Sequence, residues 1–351
     1  MVISSLDVPV VGAPMAGGPS TPELVAAVGD AGGLGFLAGA YLTTEALARD
    51  IADVWDATSR PFGVNLFVPA HANTYAAGPG QLVGSDRARA VAAYRASLAP
   101  LAGRLGVELP EPSGEEPGAW ERALDLVVRE RVPVVSFTFG LPSKAVLGEL
   151  RRAGIESVVT VTDVPEATAA IEAGVDALCV QGPEAGGHRG TLDEAKDPGE
   201  HELVGLVRSV RALTDLPVVA AGGIADSARA AEVLAAGATA AQIGTALLLT
   251  PEAGTGLAYR RALVDPDYAG TTVTRAFSGR WARALETEFV REHSVHAPAA
   301  FPEVHHVTAP LRRASAAADD PGLIALWAGT AWRSARAVPA AEVVRSIAGA
   351  L

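Results

Sequence analysis

Short apolar runs rich in Val, Ala, Gly and Phe alternate along the chain with longer segments in which Ala, Leu and Val recur among Glu, Asp and Arg. The short runs read as buried strands and the longer segments as helices with one apolar face, the pattern of repeated βα units. Strands are expected at 8–15 (VPVVGAPM), 33–40 (GLGFLAGA), 61–68 (PFGVNLFV), 132–140 (VPVVSFTFG), 156–163, 176–182, 216–223 and 240–248. The helices between them carry end signals. STPELVAAVGDAGG offers a Ser or Thr cap, a proline in the first turn and closing glycines, and TDVPEATAAIEAG and ADSARAAEVLAAG repeat the scheme. A count of eight strands favours a closed TIM (β/α)8 barrel over an open doubly wound sheet.

Two stretches break this rhythm. Residues 69–118 are rich in Pro, Gly and polar residues around a helical piece near 85–104, and are too long for an ordinary βα loop. Residues 250–320 hold most of the remaining aromatics and histidines. The expected organisation is a barrel of 1–68 and 119–249, completed by 321–351, with 69–118 and 250–320 packed together as a smaller domain or lid over its C-terminal mouth. Within the insertion, 110–118 is the piece for which disorder is expected.

Composition narrows the chemistry. The net charge of -12 argues against a nucleic-acid partner, which needs a Lys/Arg surplus, yet leaves room for a small anion that answers to local charge. The lone cysteine, Cys179, permits no intrachain disulfide and reads as a buried strand residue in a reducing cytoplasm. No targeting segment opens the chain and no apolar run would span a bilayer, so a soluble cytoplasmic protein is expected.

Chemistry in a barrel sits where the strands end. The first strand ends in APMAGG, where Met15 and two glycines let backbone approach a flat ligand. The third places Asn65 where an apolar residue would otherwise pack. The fourth alternates Ser136 and Thr138 with Phe137 and Phe139, which puts the hydroxyls on one face and the rings on the other. Gly222 and Gly223 precede a helix after the seventh strand, and Gly244 and Thr245 end the eighth. Paired glycine loops at these two positions suit a phosphate held on backbone amides, as in FMN. GLGFLA at 33–38 matches a dinucleotide fingerprint, but it follows a helix and forms the strand itself, so no such site is expected. His293, His296, His305 and His306 read as surface histidines without a metal. His188, in QGPEAGGHRG after the sixth strand, differs because glycines strip side chains from around it, which suits a base or donor facing a ligand.

Taken in order, GAPMAGG, GVNLFVP, VVSFTFGLP, VQGPEAGGHRGT, AAGGIAD and AQIGTALLLTPE resemble class I nitronate monooxygenases, formerly 2-nitropropane dioxygenases, from about residue 9 to 255. The resemblance implies an FMN-containing TIM barrel with a small second domain. It implies FMN contacts from Met15, Asn65, Gln181, Gly186, Gly223, Gln242, Ile243, Gly244 and Thr245, with Gly222 beside them, and a catalytic role for His188. Nitronates or nitroalkanes and O2 would be the partners, oxidised through a flavin semiquinone to carbonyl compounds and nitrogen oxides, with a homodimer compatible. Two other readings stand beside it: an NADH-using flavin-dependent enoyl-ACP reductase, whose barrel carries a similar EAGGH loop, and a flavin-binding barrel without catalysis. Arg189 reads as an anchor of its loop. Tyr75, His71 and Trp281 are candidates for the pocket wall or for ordinary packing.

Overall fold

The computed structural model describes residues 1–75, 78, 80–114 and 116–349. Glu115, within the stretch expected to be disordered, lies outside the described residues. Six strands come first: β1 (Val10–Gly12), β2 (Phe36–Ala38), β3 (Gly63–Phe67), β4 (Val134–Thr138), β5 (Glu156–Val161) and β6 (Ala177–Gln181). A two-residue strand, β7 (Gly187–His188), belongs to another sheet, and β8 (Val218–Ala221) and β9 (Ala240–Ile243) complete the set. The eight long strands pair in parallel in the order β1-β9-β8-β6-β5-β4-β3-β2. A parallel bridge between Val11 and Leu34, just before β2, brings the two ends of this sheet together. The result is a nearly closed TIM barrel with helices between its strands.

The helices begin and end as their sequences require. Helix α1 (Pro22–Asp30) is capped by Thr21, whose hydroxyl accepts the Leu24 amide at 3.1 Å. Helix α2 (Thr44–Ala57) has Thr43 in the same role. Past α3 (Gly84–Leu105), helices α4 (Ala119–Arg129), α5 (Lys144–Arg152), α6 (Val164–Ala173), α7 (Leu203–Arg211) and α8 (Ser227–Ala235) return to the barrel wall. Asp163 and Asp226 cap α6 and α8, and α6 closes on Gly174 at φ +88°. The GLGFLA glycines have a packing reason. A Cβ on Gly35 would stand 2.5 Å from the Val25 carbonyl, so glycine lets β2 lie against α1.

The rest of the chain builds a layer over the mouth. Helix α9 (Leu257–Val264), strands β10 (Thr271–Thr274) and β11 (Ala282–Leu285), and helices α10 (Glu288–His293) and α11 (Glu303–Ala317) follow the barrel. Val91, Tyr94 and Leu98 of α3 share a core with Phe277, Phe289, Val304 and Leu311. The Tyr94 hydroxyl donates to the Ala276 carbonyl at 2.7 Å inside it. Arg87, also on α3, meets Glu194 at 2.7 Å and Glu303 at 2.8 Å, tying the layer to the chain after β7. Helix α12 (Ala340–Ala348) then packs Val343, Val344 and Ile347 into the barrel's outer core. Among the described residues no helix is long and apolar enough to cross a membrane.

Candidate active site

The loop after β6 is organised by one side chain. The Gln181 amide nitrogen donates to the His188 carbonyl at 2.9 Å, while its oxygen accepts the Gly190 amide at 2.9 Å and Arg189 Nη1 at 3.2 Å. Arg189 is buried and also donates to the carbonyls of Gln181 and Gly182, so its guanidinium ties the loop back to the end of β6. It anchors. Gly186 is dictated by packing, since a Cβ there would stand 2.4 Å from the Gly329 nitrogen. Gly187 sits at φ +74°, where a side chain costs about 1–2 kcal/mol. The loop then pairs as β7 with β11, His188 opposite Ala282, so the C-terminal layer holds the histidine in place.

The His188 ring is boxed by aromatic groups. Its centroid lies 5.1 Å from that of Trp327, 5.4 Å from Phe139 and 6.4 Å from Phe301. Nε2 is 2.8 Å from the Ser278 hydroxyl, which in turn donates to the Arg280 carbonyl at 3.3 Å. Nε2 is thus engaged by the hydroxyl, and among the described residues Nδ1 has no hydrogen-bond partner. Burial, and after it the charges of Arg280 and Arg312, lower the His188 pKa from 6.5 to about 3, so the ring is neutral. Arg280 stays in place over the Phe139 ring at 4.1 Å and donates to the Thr191 and Phe139 carbonyls. Phe139 departs from the alternation expected of its strand. It lies past the end of β4 at φ +75°, which turns its ring toward His188, whereas Phe137 packs outward in the barrel core.

His305 is a correction to the sequence reading. It is not a surface histidine: it lines the same cavity, stacks on Tyr41 at 4.1 Å, and its Nδ1 accepts from Arg312 Nη2 at 3.1 Å. Burial, and then the charge of Arg312, lower its pKa to about 2. The reason is the register of α11, which faces His305 and Arg312 into the mouth and His306 toward Ser113. His293 packs against Phe289 at 4.7 Å. Among the described residues no group of His, Cys, Asp and Glu could hold a metal ion.

The structure gathers most of the expected site around one cavity of about 520 Å³, within the roughly 300–1,000 Å³ of cofactor sites. Met15, Asn65, Gln181, Gly186, His188, Gly222, Gly223, Gln242, Gly244 and Thr245 all line it. Ile243 does not. Its side chain is in the barrel core and its carbonyl accepts the Ala13 amide at 2.8 Å. Nor do Tyr75, His71 or Trp281 line it; Trp281 instead lies under the Arg275 guanidinium at 4.2 Å.

A phosphorylated flavin fits these residues. Gly222 at φ +130° and Gly223 at φ +66° turn the chain just before α8, and among the described residues no backbone carbonyl accepts from their amides or from that of Gly244. A Cβ on Gly223 would stand 2.9 Å from that of Glu184, so the turn is closed to other residues on both counts. Backbone amides left free in a turn can receive an anion. Across the mouth, the Asn65 nitrogen is spent on the Ser136 and Thr138 hydroxyls at 2.9 and 3.0 Å, which leaves its oxygen to the cavity. Sequence reasoning missed Tyr41, Ser278, His305, Arg312 and Trp327. None has a local motif, and four of them come from the layer over the mouth.

The family described as nitronate monooxygenase matches residues 2–349. A protein of Staphylococcus aureus (strain MSSA476) called a probable nitronate monooxygenase is 34% identical over 348 residues, 98% of this chain and 94% of that one. The solved structure of a nitroalkane oxidase from Streptomyces ansochromogenes superposes with a TM-score of 0.90 at 45% identity, covering 99% of this chain and 96% of its own. FabK from Thermotoga maritima superposes with a TM-score of 0.74 at 25% identity over 98% and 93% of the two chains.

Proposed function

The chain belongs to the nitronate monooxygenase family, and from that premise we propose that it uses FMN and O2 to oxidise alkyl nitronates, propionate 3-nitronate among them, to carbonyl compounds and nitrogen oxides. It is an oxidoreductase, a flavoenzyme of nitro-compound oxidation. The observation that carries the finer reading is a neutral, desolvated His188 standing over the same cavity as the glycine cradle.

When bound, FMN supplies the one-electron acceptor and the place where O2 reacts. The chain's own residues do the rest. The amides of Gly222, Gly223 and Gly244 receive the phosphate, and Met15, Asn65 and Gln242 would line the ring system. Phe139, Phe301 and Trp327 exclude water around the reacting carbon, so that charge there is governed by fixed protein groups. For a neutral nitroalkane, the Nδ1 lone pair of His188 takes the α-proton. For a preformed nitronate no proton need move, and the same ring only orients the substrate.

The test compares two substrates on one variant. The released cofactor should be FMN by mass, and O2 uptake with propionate 3-nitronate should need no NAD(P)H. His188→Asn should abolish turnover of nitroethane and spare much of the turnover of propionate 3-nitronate. Equal loss on both would remove the general-base role, and NADH-dependent reduction of an enoyl thioester in place of nitronate turnover would remove the reading altogether.

A further inference from the structure

The chain carries a net charge of -12, yet among the described residues no Asp or Glu lines the cavity, and the charged side chains that do are Arg312 and Arg313. That asymmetry focuses a positive potential at the mouth of an acidic protein.

Arg312 is the inner of the two arginines. Its Nη2 donates to His305 Nδ1 at 3.1 Å and to the His305 carbonyl at 2.9 Å. Its Nε is buried without a partner, and among the described residues no carboxylate comes within ion-pairing distance. The other well-buried arginines are differently placed. Arg87 has two glutamates; Arg189, Arg275 and Arg280 donate to backbone carbonyls and also leave nitrogens without a partner, but none of these four lines the cavity. A guanidinium left with uncommitted donors beside a cavity is costly unless a ligand completes it.

Its position points to the substrate. Arg312 stands close enough to His188 for its charge to be felt at that ring. Leu311 and Ser315, both buried, fix its turn of α11, and Tyr41 backs His305 from the other side. The side chain is therefore preorganised.

We propose that Arg312, oriented by His305, receives the negative charge of the substrate and so selects the nitronate anion over the neutral nitroalkane. The exposed Arg313 at the rim draws the anion in. This rests on the nitronate-oxidising reading of the site. It also assigns His188 its rank: a neighbouring cation that welcomes an anion opposes a protonated imidazole, so the site favours nitronate that arrives already formed.

The experiment uses flavin-loaded protein and needs turnover in one arm only. Propionate, an anion that cannot be oxidised here, is titrated against wild type, Arg312→Gln and Arg312→Lys by its perturbation of the flavin spectrum. Arg312→Gln should weaken propionate binding about 10- to 100-fold, the worth of a hydrogen bond to a charged group, and Arg312→Lys should recover most of it. In steady state, Arg312→Gln should raise KM for ethyl nitronate, and kcat/KM should fall about tenfold further for ethyl nitronate than for nitroethane. Equal losses on the two substrates, or unchanged propionate affinity in Arg312→Gln, would overturn the proposal. So would loss of bound flavin from Arg312→Gln with Arg312→Lys restoring only the flavin, since Arg312 would then serve the phosphate. Arg312-dependent propionate binding in a wild type that does not oxidise nitronates would uphold the anion site and sink the proposed reaction.

Discussion

Replacing Ser278 by alanine should free the His188 ring without moving its backbone. The backbone is fixed twice over, by the Gln181 side chain on the His188 carbonyl at 2.9 Å and by the pairing of β7 with β11. The ring depends on a single hydrogen bond, between Nε2 and the Ser278 hydroxyl at 2.8 Å. Its aromatic neighbours do not choose between the two ring flips, because a flip preserves the ring plane. A net hydrogen bond of this kind is worth about 0.5–1.5 kcal/mol, and the buried nitrogen left behind costs about 1–3 kcal/mol unless the ring turns to pair elsewhere. The ring therefore turns, and Nδ1 no longer faces the α-carbon in every molecule. About 1.4 kcal/mol of lost orientation is a tenfold fall in kcat/KM for nitroethane. Ethyl nitronate, which has no proton to give, should lose less than about threefold, since only ring orientation is affected. O2 uptake on both substrates measures this, with flavin content as a control. A uniform loss would mean that Ser278 shapes the pocket as a whole; no loss would mean that the ring is held by packing alone. Either result refutes the reasoning.

Gly186→Ala drives a Cβ to 2.4 Å from the Gly329 nitrogen and 2.6 Å from the Ala328 carbonyl carbon. It should cost about 1–3 kcal/mol as overpacking and lower the flavin bound per chain, read by melting temperature and absorbance. Gly205→Ala, on an exposed helix face where a Cβ meets nothing within 4 Å, should instead stabilise by about 0.5–1 kcal/mol with unchanged flavin content. For pH, His188 and His305 are lowered from 6.5 to about 3 and about 2. Below 6.5 the unfolded chain binds protons that these two rings refuse, so stability is full above that pH and is lost as pH falls toward 3. The slope is up to about 1.4 kcal/mol per pH unit for each ring. His305→Gln should flatten it in denaturant titrations at pH 4 to 7, and an unchanged slope would assign acid lability elsewhere.

The barrel was legible because its strands are continuous apolar runs bounded by capped helices, and all eight fall inside the expected segments. The glycine turns after β8 and β9 and the Gln181–Gly190 loop were legible for a related reason. Each needs glycine for backbone approach, and glycine clusters stand out in any sequence. Strand ends were overdrawn, as at 132–140, where the observed strand stops at Thr138 and Phe139 turns back in the left-handed region. The alternation of inward and outward residues is a property of the strand and ends with it.

What the sequence hid is the side of the site supplied by the layer over the mouth. Ser278 lies between β10 and β11, Trp327 bridges β11 through its neighbours, and His305 and Arg312 face the cavity from α11. Ser278 and Trp327 reach His188 from 90 or more positions away, and only His305 and Arg312, seven apart on α11, share a helical spacing. The barrel loop could be read as holding a base, but its proton affinity is lowered first by burial under the overlying layer and then by Arg280 and Arg312, which sit on separate elements and are brought to it only by folding. The cavity is thus walled from two sides: strand ends and their glycines below, and Ser278, His305, Arg312 and Trp327 of the overlying layer above. On the proposed reading, the cofactor would draw on the first set and the choice between anion and neutral substrate on the second.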